Sequence, residues 1–479
     1  RGDAWQANAE ATNLKLIELN SETPEQFAGL VDGTFKVWGD VNNIVPDAIT
    51  ASGNGSLTLP EGVFTANDLA IADGKFSTIV TPQGVDLSLF ADPNSEDSIE
   101  LKGKLGGQLD LAGKIDRLSP PDVQARGNVT FSEGIDFLEQ AIAAKVNWDG
   151  KRLEVLSAEG EGLTAKGYVD LDKSFFSDIP DKLAAVDYFY FDVPQAKGID
   201  ITKLRLNLPS WAVNLDYSGI GDFQGKVGGI PSAMDIDGDV ILRSFQVEDL
   251  VFNPVLTGTV DISPEQGVNL QLDREEDEIN LVLDKNFLPL SFVFKDENIL
   301  VTGTGEGEIV TVKTQNIPVE LLKTIAIKSD DFTVPPNIAV QPVAGELSGE
   351  FVINLNTLAT SGNNVVIEQP TIARIKGDRL TGNFQYTEGD LVLNNVLFKQ
   401  RASLYELTAR VIQQEDDLAL QGAIDVKQGQ IQDVLVALEI FELADLAKFG
   451  SGREYARAKD LYNSPLPCIV INISEGDCP

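Results

Sequence analysis

The sequence predicts a mainly β protein, a long antiparallel β-sheet with a few short helices and one amphipathic helix near the C-terminus. Three observations predict it. Apolar or small residues fall on every second position in run after run: Leu380, Gly382, Phe384 and Tyr386, then Tyr405, Leu407, Ala409 and Val411, then Leu418, Leu420, Gly422, Ile424 and Val426. A period of two puts successive side chains on opposite faces, so each run reads as a strand with one apolar and one wet face. Turn-forming clusters such as Glu388-Gly389-Asp390 and Gln414-Glu415-Asp416-Asp417 separate the runs and are short enough to join neighbouring strands directly. After Gly429 the period changes. Ile431, Leu435, Leu438 and Phe441 recur at helical spacing with acidic residues between them, which predicts an amphipathic capping helix over 429–450.

Taken in order, the chain opens on a strand from Trp5 to Leu19 with a break near Asn13. Thr23-Pro24-Glu25 followed by Phe27 and Leu30 supplies an N-cap, a proline at the first helical position and apolar spacing, so a short helix is expected to end at Gly33. Strands then follow between Pro60-Glu61-Gly62, Asp73-Gly74 and Gln83-Gly84, each a turn signal. The glycine-rich stretch Leu101 to Ile115 is followed by more strand and not by a helix, so it reads as hairpin or bulge glycine, not as a phosphate cradle. A second short helix is expected between Ser174 and Ala185, and a third over Pro318 to Ile325. Asp235, Asp237 and Asp239 around Gly238 lack the spacing of a calcium loop, so Asp237-Gly238 is read as a hairpin turn. Asn298 to Val312, with Gly303, Gly305 and Gly307, reads as one strand, and Phe332 to Pro342 as a linker or edge. The total is about thirty strands at roughly ten-residue spacing, with no exact short repeat visible. The chain divides into groove segments 1–185, 186–331 and 332–428, the capping helix 429–450 and a tail 451–479.

Charge and composition exclude several function classes. Thirty-seven basic residues against 74 acidic ones give a formal charge of −37, which repels phosphate backbones and anionic headgroups, so no nucleic-acid partner is expected. With no histidine and only Cys468 and Cys478, the usual zinc site, the Ser-His and Cys-His nucleophile pairs and a haem ligand are unavailable to this chain, and no metal or cofactor is expected. The two cysteines could close a small loop in an oxidising compartment or remain free thiols. Acidic pairs at i, i+2, Glu306 with Glu308 and Glu388 with Asp390, would lie on one strand face where two carboxylates can flank a bond, but among 74 acids such pairs arise by chance. An enzyme is not expected. No apolar run approaches the length of a transmembrane helix, and because the chain opens on Arg1, any membrane anchor is expected outside it.

One-faced strands must cover their apolar side with another sheet, with helices or with a ligand. Four helices cannot cover so many strands. The sheet is therefore expected to fold on itself, either filled as a sandwich or solenoid or held open as an apolar gutter. Aromatic content of 7%, and the many Ala, Gly, Val and Leu at inward positions, tilt the reading toward the open form.

Several stretches carry a resemblance. Asn286-Phe287-Leu288-Pro289-Leu290, Asn316-Ile317-Pro318-Val319-Glu320-Leu321-Leu322, Gly345-Glu346-Leu347-Ser348-Gly349, Ile375 to Phe384, and Gly429 to Leu435 with Ile440 to Leu443 resemble the C-terminal part of cyanobacterial TamB-family proteins, the AsmA-like translocation and assembly modules. That resemblance implies a β-groove that carries phospholipid between inner and outer membranes across the periplasm. It also implies an inner-membrane anchor in the full-length protein and an outer-membrane Omp85-type barrel as partner. The groove lining expected here is Phe384, Tyr386, Leu407, Val411, Leu418, Leu420, Ile424 and Val426, and the cap is Ile431, Leu435, Leu438 and Phe441. The alternative is a scaffold that assists outer-membrane protein assembly without lipid cargo, because an apolar groove can receive a β-strand as readily as an acyl chain.

Overall fold

The computed structural model describes residues 4–16, 29–43, 45–87, 103–117, 119–133, 140–176, 183–203, 216–328, 342–372, 375–414, 417–430 and 470–473. The expected fold class is observed: nearly every described element is an antiparallel strand joined to the next by a short turn. The chain separates into two compact units, residues 1–205 with 219–243 and 259–265, and residues 206–218 with 244–258 and 266–479.

In the first unit the strands Ala4–Lys15, Leu30–Asp40, Thr50–Leu59, Gly62–Ala72, Lys75–Gln83, Lys104–Lys114, Gln124–Phe131, Ile142–Trp148, Arg152–Gly160, Leu163–Leu171, Val186–Asp200 and Tyr217–Ile230 pair in that order. In the second the order is Gly267–Arg274, Asp277–Leu283, Pro289–Asp296, Ile299–Glu306, Ile309–Pro318, Val343–Asn354, Thr360–Ile372, Arg379–Thr387, Asp390–Gln400, Ser403–Gln414, Asp417–Gln428 and Val470–Ile473. Each unit is thus an open antiparallel meander. Tight turns drive it. At Asp73-Gly74 (φ 51° and 71°) and Glu388-Gly389 (φ 49° and 84°) both central residues are left-handed, the geometry whose twist matches a two-residue hairpin.

Bulges recur with one chemistry. Asn13, Asp68, Asn316 and Asn364 each sit in the left-handed region where the register slips by one residue. Each donates its backbone N–H to a side chain on the adjoining strand: to Asp32 Oδ1 (2.9 Å), Asn54 Oδ1 (2.9 Å), Ser348 Oγ (3.0 Å) and Asn383 Oδ1 (2.8 Å) in turn. The bulge frees an N–H from the ladder, and a short polar side chain satisfies it. The break expected near Asn13 is the first of these.

A repeat also emerges that strand patterning alone does not reveal. Gly33, Gly39, Pro46, Ala51, Gly53 and Asn54 return as Gly107, Gly113, Pro120, Ala125, Gly127 and Asn128, each seventy-four positions later. Both copies place an isolated bridge (Asp40 with Asn43, Lys114 with Arg117) and a 3-10 turn (Pro46–Ala48, Pro120–Asp122) between two strands. The glycines have a packing reason: a Cβ at Gly39 would lie 3.1–3.2 Å from the Trp5 indole, and one at Gly113 would lie 2.7 Å from the Phe76 ring.

Several expectations are corrected. Asp237-Gly238 is no turn; strand Ala233–Val247 runs through it, and the hairpin bend lies at Pro231-Ser232. Gly238 is there because the backbone passes close to Gly225 of the preceding strand, 2.8 Å from where its Cβ would stand. Asn298 to Val312 is two strands, folded at Gly307 (φ 61°). Where the second short helix is expected, the described residues form 3-10 turns at Lys173–Phe176 and Leu183–Ala185, with 177–182 outside them, and the third is an α-helix, α1, over Val319–Lys328. The helix expected to reach Gly33 cannot do so, since strand Leu30–Asp40 already contains that glycine; its earlier residues lie outside the described ones. The capping helix with Ile431, Leu435, Leu438 and Phe441, the linker at 332–341, and Cys468 and Cys478 also lie outside them. The last strand pair does not end the sheet, because Val470–Ile473 from the tail pairs beside Asp417–Gln428.

Candidate functional site: an apolar track across the strands

Cross-strand partners share a face, so the register can be followed from strand to strand as a row running across the sheet. In the second unit one row passes through Leu270, Leu281, Phe292, Gly303, Val312 and Phe351, and continues through Gly362, Phe384, Leu393, Ala409, Gly422 and Ile473. No polar side chain interrupts it. The first unit has its counterpart in Ala11, Gly33, Gly55, Ala66, Val80 and Leu109, continuing through Gly127, Val146, Val155, Gly167, Phe191 and Val227. Each row crosses twelve strands. At about 4.8 Å per strand this is an apolar track on the order of 50 Å within each unit.

Six of the residues expected to line the groove, Phe384, Tyr386, Leu407, Val411, Ile424 and Val426, share that face. Phe384 is in the row just traced; Tyr386 pairs through Leu391 to Val411 and Leu420; Leu407 pairs with Ile424; and Val426 pairs with Tyr405. Leu418 occupies the register position opposite Gln413. Phe398, Tyr405 and Val426 are buried together, with Leu380, Leu407 and Ile424 half-buried against them and the Phe398 and Tyr405 rings 5.9 Å apart. Phe384, Tyr386, Leu407 and Val411 are only half-buried.

The pattern reading missed the contribution of strand Asp390–Gln400. Leu391 and Leu393 at odd positions share the apolar face with Val396 and Phe398 at even ones, because a bulge at Asn395 (φ 51°) shifts the alternation. Two consecutive asparagines within an apolar run were the available signal, since Asn tolerates the left-handed region.

Aromatic rings help to keep the track low. Phe384 and Phe292 lie opposite Gly362 and Gly303, and a Cβ on either glycine would collide with the facing ring. A ring that lies over a glycine fills the sheet surface without standing up from it. One stretch of the face is covered: Val319 and Leu321 at the start of α1 pack against Ile317, Leu347, Phe351 and Val365. The far end of that helix is fastened, with Lys328 Nζ donating to Asp216 Oδ2 (2.7 Å) and to both Glu248 oxygens (2.8 Å each).

The opposite face is charged and cross-linked. Arg410 forks onto Asp390, Arg152 onto Asp170, and Lys313 bridges to Glu350, each across neighbouring strands. The Arg410 hydrogen bond holds the Asp390 carboxyl below its ordinary range, and Asp425 with Glu406 raises the Lys427 ammonium. The acidic pairs weighed from sequence do not form a two-carboxylate face. Glu308 and Glu388 lie in hairpin turns, and Asp390 is engaged by Arg410. Among the described residues no group of three or more acidic or cysteine side chains is placed to hold a metal ion, and no helix is long and apolar enough to cross a membrane. No protein-family model, curated protein or solved structure matches the chain.

Proposed function

We propose that this chain is a non-enzymatic lipid conduit whose apolar track holds the acyl chains of phospholipid and lets them pass from strand to strand. The observation that carries the reading is the unbroken apolar row across twelve strands, with Phe384 in it and Tyr386, Leu407 and Val411 beside it on the same face left half-buried. Apolar surface in such a row gains roughly 25 cal/mol per Å² when it leaves water, and an acyl chain can supply that cover without fixed geometry. The sequence resemblance given above supports transport between inner and outer membranes across the periplasm, with the chain held by an anchor elsewhere in the full protein and meeting an Omp85-type barrel.

The test is organic extraction of the purified chain followed by mass spectrometry of the extract, with a photoreactive side chain installed at Leu407 and, separately, at Thr408. Phospholipid is expected near stoichiometric amounts and cross-linked from position 407. A lipid-free protein, or equal cross-linking from both positions, would overturn the conduit reading.

A further inference from the structure

The water-facing side of the first unit holds a second feature that the lipid reading does not use. Its row, traced through the same register, runs Asp110, Arg126, Asn147, Glu154, Tyr168 and Tyr190, and ends at Gly228. Tyr188, two residues before Tyr190 on the same strand, joins it. The Tyr168 ring centroid lies 6.2 Å from both Tyr188 and Tyr190, at interplanar angles of 30° and 34°, so the three rings form a gently tilted floor. Gly228 lets them lie down: a Cβ there would stand 3.3 Å from Tyr190 Cδ2 and 3.5 Å from the Tyr188 hydroxyl. The Arg152 guanidinium lies over the Tyr168 ring, 4.0 Å from its centroid, so the ring faces left open are those of Tyr188 and Tyr190. Tyr188 keeps 39% of its surface exposed.

From this we infer that the tyrosine floor is a binding platform for a neutral glycan, its sugar rings stacked on Tyr188 and Tyr190 and its hydroxyls met by the polar row of Glu154 and Asn147. Three observations select that ligand. The cations around the floor are already matched, Arg152 to Asp170, Lys151 to Asp187 (3.1 Å) and Lys166 to Asp192 (3.3 Å), so the site offers little net charge to a phosphate or sulfate. Both tyrosine-bearing strands are paired on each side, which leaves no free strand edge for an added peptide strand. Rings lying flat present π-faces, which suit the apolar face of a pyranose, while the Asn147 amide, 3.4 Å from Glu154 Oε2, and the carboxylates suit hydroxyl groups. The platform lies on the opposite face from the lipid track and stands or falls independently of it.

The experiment is calorimetric titration of the whole chain with cellohexaose, chitohexaose and maltohexaose, and with heparin as a polyanion. At least one neutral hexaose is expected to bind, and Tyr188→Ala and Tyr190→Ala are each expected to weaken it about tenfold. Thr34→Ala, exposed in strand Leu30–Asp40 of the same unit and outside the row, is expected to bind as the parent does, with circular dichroism confirming the fold of each variant. Binding of none of the three hexaoses, binding of heparin alone, or an unchanged affinity in folded Tyr188→Ala would overturn the assignment.

Discussion

Leu393 and Val396 share one face of the sheet although three positions separate them, because their partners Ala409 and Leu407 are two apart on the next strand. The extra residue is taken up at Asn395, whose φ of 51° few side chains adopt without strain. Asn395→Gly is therefore expected to leave stability nearly unchanged, and Asn395→Val to cost roughly 1 to 2 kcal/mol. Hydrogen exchange over residues 379–414 checks it: faster exchange confined to the Val variant is the expected result. Deleting Asn395 would turn Leu391 and Leu393 to the opposite face and is expected to cost more than either substitution.

The face assignment makes neighbouring positions unequal. Leu407→Glu puts a charge on the apolar track and is expected to abolish lipid retention, whereas Thr408→Glu, exposed on the opposite face, leaves it intact. Lipid recovered per mole of purified variant is the readout, and similar losses from both would contradict the assignment.

Much of this was legible in the sequence, and the exceptions share a cause. Leu407, Ile424 and Val426 were readable because strands Ser403–Gln414 and Asp417–Gln428 alternate without interruption where those residues lie. Leu391 and Phe398 were hidden because a bulge changes parity without changing composition. Gly238 was misread for a related reason: Asp-Gly is a strong local turn signal, but the close approach of Gly225 on the preceding strand is a tertiary fact with no local trace. Turns such as Glu388-Gly389 are decided within four residues, and those were read correctly.

Asp222 is buried and receives hydrogen bonds from both Arg243 guanidinium nitrogens and from the Gly198 N–H (3.1 Å) at a bulge. Burial alone would raise its carboxyl, but the Arg243 and Gly198 hydrogen bonds outweigh it and hold the group below its ordinary 3.8. A depressed folded-state value contributes stability that is present above pH 3.8 and is lost as pH falls through the lower folded value. Asp222→Ala is expected to cost roughly 2 to 3 kcal/mol at pH 7, and the gap between variant and parent should close in acid below pH 3.8. Thermal midpoints measured from neutral pH downward test this.

Asp296 has the opposite sign. Burial, then the charges of Asp277 and Glu297, raise its carboxyl above 3.8. Its folded form holds a proton more tightly than the unfolded chain, so its ionisation weakens the fold as pH rises past 3.8. Asp296→Asn is expected to raise the denaturation midpoint at pH 7 and to have little effect in strong acid. A lower midpoint at pH 7 would contradict it.

Lys328 fastens α1 to Asp216 and Glu248, which raise its ammonium above the ordinary value by hydrogen bonding. That contribution persists through neutral pH and is lost only as pH rises through the raised value. Lys328→Met is expected to speed hydrogen exchange in α1 while strands Asp390–Gln400 and Ser403–Gln414 exchange as before.

The sequential pairing of the strands has a kinetic consequence. Most strands find a partner a hairpin away in the chain, so loop-closure entropy stays small at those steps. Such a chain can zip from a first hairpin outward, one strand at a time, while the remainder is still being synthesised or delivered. Each newly added strand is for a moment the exposed edge, and the charged outer face with its cross-strand ion pairs then keeps two half-made chains from joining edge to edge.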